Sequence, residues 1–386
     1  MTLHLPMTMR RAAPGVVLMT TDTLGGVWSY AVDLAGGLAQ AGTRIILASM
    51  GPAPSEAQRS DAAAVPGLIL EESTFGLEWM ADADDEVRRA GDWLLDLERR
   101  YVPDVVHLNG YAHATLPWHA PCIVVAHSCV PSWWLAVHGE QPTGSWHRHV
   151  DMVARGLAAA DLVIAPTAAH LRAIETIYGS CPGARAIHNG IDPALLRSGP
   201  KREVIFSAGR VWDAAKNVRA LDEVAASLPW PVVVAGDWRQ PDGGGEPPSQ
   251  LLCLSVLERA QVRDWLAETS IYASPAYYEP FGLGVLEAAL SDCALVLGDI
   301  ATLRELWSDA ALFVPPHDHD ALLTCLTNLI ERPSLRAHLG RTARARGLRY
   351  SLERMTQGYL DAYAAAVAAG SLVSVEPAAL PTAAAD

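Results

Sequence analysis

The chain has 386 residues, enough for two domains of ordinary size, each with its own core. A formal charge of −14 argues against a nucleic-acid partner, which needs a basic surface, while 50% hydrophobic residues and a mean hydropathy of +0.14 describe a soluble globular protein. Six cysteines without a Cys-x-x-Cys pair suggest neither a zinc site nor a disulfide framework, so a cytoplasmic location is the expectation.

The opening stretch to Asp22 carries two arginines ahead of the apolar run "GVVLM". That run is too short for a signal peptide or a membrane span and is expected to form a first buried strand. "TLGGVWSYAVDLAGGLAQAG" then puts Gly25 and Gly26 in a turn before an amphipathic helix. The two glycines serve either a tight turn with positive φ or the close approach of backbone to a phosphate. The stretch is not G-x-G-x-x-G and no acid is suitably placed after the second strand, so a nicotinamide dinucleotide is not indicated. "RIILAS", "PDVVHLNG", "PCIVVAHS" and "DLVIAPT" continue as buried parallel strands, with helical stretches such as "ADADDEVRRAGDWLLDLERRYV" between them. His127 closes one of these strands, either as a structural residue or as a site residue. Trp133 and Trp134 follow, fit for packing or for stacking on an acceptor sugar.

After the Pro/Gly-punctuated "NGIDPALLRSGPKR", the strands "EVIFSAGR", "PVVVAGD", "SIYASPA" and "CALVLGD" repeat the pattern, separated by helices such as "VRALDEVAASL" and "RDWLAETS". Strand–helix alternation in both halves predicts an α/β protein of two facing Rossmann-like domains with parallel sheets and a cleft between them. Arg210 and Lys216 lie just past the first strand of the second half, where two cations neutralise a diphosphate or simply sit in solvent. "QPDGGGEPPSQ" reads as a flexible surface loop.

"YYEPFGLGVLEAALSD" carries the most information. Pro280 keeps Glu279 out of the α conformation, helix-forming residues begin near Leu283, and Glu287 falls in the first or second turn. Gly282 and Gly284 leave the backbone N–H groups of that helix start uncovered, which makes an anion seat with a carboxylate on either side. A nucleotide-sugar diphosphate, a charge flanked by hydroxyls, has the matching shape. Asp82-Ala83-Asp84 and Asp318-His319-Asp320 imitate a D-x-D metal motif, but neither ends a strand, and both read as helix capping. No metal site or cofactor is therefore expected.

Taken together these motifs resemble the retaining glycosyltransferases of family 4, over nearly the whole chain from Gly15 to about Tyr363. The strongest part is the E-x7-E motif, Glu279 to Glu287; the Gly25-Gly26 loop, "HNGID" at 188–192, "VVVAGD" at 232–237 and "LRELWSDAALFVPPHD" at 303–318 support it. Asp292 stands where relatives carry a turn glycine.

The resemblance implies the GT-B fold, with an acceptor-side domain at 1–192, a donor-binding domain at 200–348, a helix at 349–369 crossing back, and a disordered tail at 370–386. It implies that Glu287 accepts from the ribose hydroxyls and Glu279 holds a donor-sugar hydroxyl. Backbone around Phe281, Gly282 and Leu283 meets sugar and phosphate, while Arg210 and Lys216 bind the diphosphate and the Gly25-Gly26 loop approaches it. His127 lies near the reacting carbon. The expected activity is metal-independent, retaining transfer from a nucleotide diphosphate-sugar to a carbohydrate or lipid-linked acceptor, with at most peripheral membrane contact. A nucleotide-sugar epimerase of the same fold and a non-catalytic nucleotide-sugar-binding module are the alternatives.

Overall fold

The structure, a computed structural model, describes residues 13–373 except 81–82, 145, 182 and 241–242. Asp82, residues 241–242 of the 240–250 loop and residues 374–386 of the tail thus lie outside the described residues; the last helix runs on to Val373, past residue 370, where the tail is expected to begin. Two sheets, parallel throughout, form the frame. The first contains β1 (Val16–Asp22), β2 (Arg44–Met50), β3 (Ile69–Glu72), β4 (Val105–Leu108), β5 (Cys122–Val125), β6 (Leu162–Ala165) and β7 (Arg185–Ala186), in the order β3-β2-β1-β4-β5-β6-β7. The second contains β8 (Arg202–Ala208), β9 (Val232–Ala235), β10 (Leu252–Cys253), β11 (Thr269–Ser274), β12 (Ala294–Gly298) and β13 (Ala311–Val314), ordered β10-β9-β8-β11-β12-β13.

Every interior strand of both sheets was legible as an apolar run, and every edge strand was not. A central strand of a parallel sheet is covered on both faces and flanked on both sides, so it needs continuous Val/Ile/Leu. The edges carry weaker patterns: β3 reads "ILEE", β7 and β10 have two residues each, and β13 is only half-buried at Leu312 and Phe313. The helix "RDWLAETS" also ends sooner than the sequence suggests. It spans Arg259–Glu268, and the β-branched Thr269 opens β11 instead. Asp292, in place of the turn glycine, adopts a left-handed φ of 60°, which a short polar side chain tolerates.

The chain crosses between the sheets twice, and the two crossings are strapped together. Ile191 and Ser351 form a parallel bridge, with Ile191 N donating to Tyr350 O at 3.2 Å and Leu352 N to Ile191 O at 3.1 Å. Gly190 is obligatory there, since a Cβ would lie 2.2 Å from Ser351 O. The last helix, Leu352–Val373, then packs on the Gly26–Gln40 helix of the first sheet, burying Met355, Tyr359 and Tyr363.

That helix contact depends on a missing side chain. A Cβ at Gly37 would lie 2.0 Å from Thr356 Oγ1 and 3.2 Å from its Cβ. Gly37→Ala gains up to about 1 kcal/mol of helix propensity but overpacks the contact, a cost of roughly 1–3 kcal/mol. It should therefore lower the thermal midpoint. Thr356 Oγ1 is buried with no hydrogen-bond partner among the described residues, so its loss is tolerated. In a Thr356→Ala background, Gly37→Ala should be neutral or stabilising in the same melts. Equal destabilisation in both backgrounds would refute the contact.

Candidate active site

Strand order reverses beside β1 and β4 in one sheet and beside β8 and β11 in the other. Loops leaving such a switch point diverge to opposite faces and open a crevice at the carboxyl ends of the strands. Gly25 and Gly26 follow β1, Asn109 follows β4, Arg210 and Lys216 follow β8, and Glu279 follows β11. The two crevices face each other. A Cβ on Gly25 would lie 3.7 Å from Arg210 Nη1, and one on Gly26 would lie 3.8 Å from Leu283 Cδ1. Gly25 also has φ of 83°, so the tight turn is present.

Asp213 organises the cations. Its buried carboxylate accepts from Arg210 Nη2 at 2.9 Å, from Ala215 N at 3.0 Å and, across the cleft, from Trp133 Nε1 at 3.0 Å. The bond to Ala215 starts the 3-10 turn Ala214–Lys216, which aims Lys216 at Glu279. Lys216 Nζ meets Glu279 Oε2 at 2.5 Å, with both side chains mostly buried. Asn217 then adopts a left-handed φ of 52° and donates to Pro275 O and Pro316 O, tying the cation loop to the ends of β11 and β13. Arg210 also lies over the Trp212 ring at 5.4 Å.

The helix Leu283–Leu290 begins at Gly282, whose φ of 85° turns the chain into it without a side-chain cap. The N–H groups of Leu283, Gly284 and Val285 have no hydrogen-bond partner among the described residues. Phe281 turns the other way, buried against Tyr350, and leaves only its backbone at the cleft. Glu287 sits one turn on and is mostly, not fully, withdrawn from solvent. Burial pushes its carboxyl upward, opposed by the charges of Arg259 and Arg263. Arg263 Nε lies 4.0 Å from Glu287 Oε1 and is itself buried without a hydrogen-bond partner among the described residues. Arg259 is held by a two-pronged bond to Asp33 of the facing domain, at 2.6 and 3.1 Å.

His127 belongs to a polar chain in the first domain. Asn109 Nδ2 donates to Thr20 O at 2.7 Å, which fixes the amide orientation and turns Oδ1 toward both His127 Nε2, at 2.7 Å, and His107 Nε2, at 3.1 Å. An amide oxygen only accepts, so both Nε2 atoms carry the proton. His107 Nδ1 then accepts from Tyr363 OH of the crossing helix at 2.7 Å. Burial lowers His127 to about 3 and His107 to about 4, with the two rings disfavouring each other's charge at His127. His127 is thus a neutral imidazole with Nδ1 as its free acceptor.

Two family models match the chain, Glycosyltransferase Family 4 over residues 24–195 and Glycosyl transferases group 1 over residues 194–346. The D-inositol 3-phosphate glycosyltransferase of Saccharomonospora viridis is 28% identical over 250 residues, 55% of this chain and 57% of that protein. The glycogen synthase of Mycobacterium tuberculosis is 26% identical over 365 residues, 84% of this chain and 86% of that protein. Among solved structures, sucrose-phosphate synthase of Thermosynechococcus elongatus superposes with a TM-score of 0.77 at 16% identity, covering 92% of this chain and 99% of the other. HepE of Anabaena, in complex with UDP-glucose, gives a TM-score of 0.69 at 17% identity, covering 93% and 100%. The chain is a glycosyltransferase with the GT-B fold.

Sequence reasoning missed Asp213, Asn109 and Asp33 in this glycosyltransferase. Asp213 had a signal, the three-residue spacing from Arg210 ahead of a short turn. Asn109 and Asp33 had none, because Thr20 and His127, which make Asn109 matter, and Arg259, which holds Asp33, meet them only in the fold. The structure also supplies a carboxylate in the same recess as Asn109: Asp22, at the end of β1, raised to about 6 by burial. Asp318 caps the helix His319–Glu331 by accepting from Ala321 N, and Asp84 lies in the first turn of the Asp84–Tyr101 helix. Among the described residues no group of three or more His, Cys, Asp and Glu side chains is placed to hold a metal ion.

The neutral state of His127 is directly measurable. Nitrogen-15 NMR of labelled histidine should show Nε2 protonated and Nδ1 bare from pH 8 down to about 4.5, because a group lowered to about 3 gains its proton only below that range. An imidazolium signal for His127 at pH 6 would contradict the burial that lowers it, and a proton on Nδ1 in place of Nε2 would contradict the hydrogen-bond chain.

Proposed function

We propose that this glycosyltransferase transfers a sugar from a nucleoside diphosphate to an acceptor hydroxyl, with retention at the anomeric carbon and without a metal ion. The observation that carries the reading is the uncapped start of the helix at Leu283, Gly284 and Val285, with the Gly25-Gly26 loop near both Arg210 and Leu283 and with Lys216 paired to Glu279 of the preceding turn. Three unpartnered N–H groups at the positive end of a helix, with two cations, match a diphosphate whose charge grows as it departs. Arg263 supports a ligand in the same place, since its buried Nε has no acceptor and Glu287 beside it suits ribose hydroxyls. UDP-glucose is the first donor to test, because it is what HepE is bound to.

In this mechanism the bond from the anomeric carbon to the phosphate oxygen breaks while the acceptor oxygen bonds to the same face. The acceptor proton passes to the departing phosphate oxygen, so no side-chain base is required. Glu279, held by Lys216, accepts from a donor-sugar hydroxyl, and His127 offers Nδ1 as an acceptor near the reacting carbon. Carbohydrate and lipid-linked acceptors both suit the reading. A cytoplasmic protein with at most peripheral membrane contact fits it too, as no helix among the described residues is long and apolar enough to cross a membrane. Neither an epimerase nor a non-catalytic module is favoured by the related proteins.

Two substitutions separate the roles. Lys216→Ala should reduce kcat by on the order of 10²–10³, since its charge matters most as the diphosphate leaves. Glu287→Ala should instead weaken binding of the free nucleoside diphosphate in calorimetry and leave kcat nearer to the parent, because ribose contacts exist before and during reaction. Unchanged turnover for Lys216→Ala would remove that residue from the site.

The stereochemistry and metal requirement are tested together. The product linkage formed in excess EDTA, read by NMR coupling at the anomeric proton, should show the configuration of the donor. An inverted linkage, or activity lost to chelator and restored by Mg²⁺ or Mn²⁺, would overturn the mechanism.

A further inference from the structure

Beside Asn109 the first domain contains a shallow recess, open to solvent, at the carboxyl ends of β1, β2 and β4. It is continuous with the site described above, because Asn109 both lines it and holds His127. Its chemistry is distinctive. The charged side chains on its wall are Asp22 and Glu78, and neither lysine nor arginine is among its lining residues. Glu78 is committed to the fold, its two oxygens accepting from Tyr111 N at 3.1 and 3.0 Å and from Ala112 N at 2.8 Å. Asp22 is committed through one oxygen only. Oδ1 accepts from Leu24 N at 2.8 Å, and Oδ2 has no hydrogen-bond partner among the described residues.

Burial pushes Glu78 upward and the charge of Asp22 adds to it, so the two carboxyl groups are close enough to feel each other and would disfavour a third negative group in the recess. The nearest influential cation, Arg210, comes from the other domain and is bound to Asp213 at 2.9 Å. At the rim Trp79 is 38% exposed, an aromatic face free to cover the C–H side of a sugar or cyclitol ring. A free carboxylate oxygen beside an exposed indole matches a ring that donates hydrogen bonds from one edge and offers C–H groups on its face.

Building on the transferase reading, we propose that this recess is the acceptor subsite and that it takes a polyol without phosphate or carboxylate, binding an amine-bearing ring more tightly than its neutral counterpart. Asp22 Oδ2 accepts from the acceptor's hydroxyl or ammonium group, and Trp79 covers the ring. This would set the protein apart from its relative named for inositol 3-phosphate.

The test uses the full chain saturated with UDP and three matched probes: glucosamine, glucose and glucose 6-phosphate. Ligand-detected NMR titrations should rank glucosamine about tenfold above glucose, one charge-assisted hydrogen bond being worth roughly that factor, with glucose 6-phosphate weakest. Asp22→Asn keeps an acceptor for Leu24 N and should erase the preference for the amine while leaving UDP affinity unchanged. Trp79→Ala, at an exposed position, should weaken all three sugars without changing their order. Glucose 6-phosphate binding as tightly as glucose, an amine preference that survives Asp22→Asn, or no sugar binding at all to the UDP-loaded protein would each overturn the proposal. Failure of UDP itself to bind would count against the donor reading instead, and the order of the three sugars on the unloaded protein would still decide the recess.

Discussion

One buried carboxylate sets the geometry on which the rest of the site depends. Asp213 receives Arg210 from its own loop, the N–H of Ala215 from the next turn, and the indole of Trp133 from the opposite domain. Any one of these bonds is modest, but all three share an acceptor in a poorly solvated place, where losing one partner leaves the others with a buried charge. The direction of Lys216, the place of Arg210 and the approach of the 130–138 helix are therefore coupled. Domain closure and the arrangement of the cations are parts of the same hydrogen-bond set.

Other bonds across the cleft share this economy of using site elements as closure elements. Cys129 N donates to Tyr278 OH at 2.8 Å, Thr167 Oγ1 donates to Pro280 O at 3.0 Å, and Glu305 caps the facing Ala168–Tyr178 helix through Ala168 N and Ala169 N. Tyr278 and Pro280 flank Glu279. The loop bearing the first carboxylate of the E-x7-E motif is thus gripped from the facing domain on both sides, so its conformation is sensitive to how the domains sit.

The legible part of this protein was the part that physics writes locally. Interior strands need unbroken apolar runs, and all nine of the runs read from the sequence are interior strands in the sheets. The Glu-Pro-Phe-Gly turn and its helix were legible because Pro280, Gly282 and Gly284 each restrict or free the backbone at their own position. Edge strands, supported from one side only, left weak traces. So did Asn109, whose importance comes from joining its near neighbour His107 to Thr20 and His127, which meet it only when β1, β4 and β5 lie side by side. Asp22 carried no signal, because Glu78 is brought close to it only by the fold.

Seen as a charge map, the cleft is divided. The second domain contributes Arg210, Lys216 and Arg263, each beside a carboxylate (Asp213, Glu279 and Glu287), together with the open helix start; the first contributes Asp22, Glu78 and the neutral His127. In the proposed reaction the open helix start and the cations would meet the departing diphosphate, and the acidic first domain would meet the acceptor. A charged His127 would put a cation on that acidic wall. Burial keeps it neutral. The hydrogen bonds decide which nitrogen carries the proton: Tyr363 on the crossing helix donates to His107 Nδ1, Thr20 O fixes the Asn109 amide, and Asn109 Oδ1 accepts from His127 Nε2. The last helix of the chain therefore reaches the residues of the cleft as well as packing on the first domain, and the glycine at position 37 that lets it approach is tied to that chain of bonds.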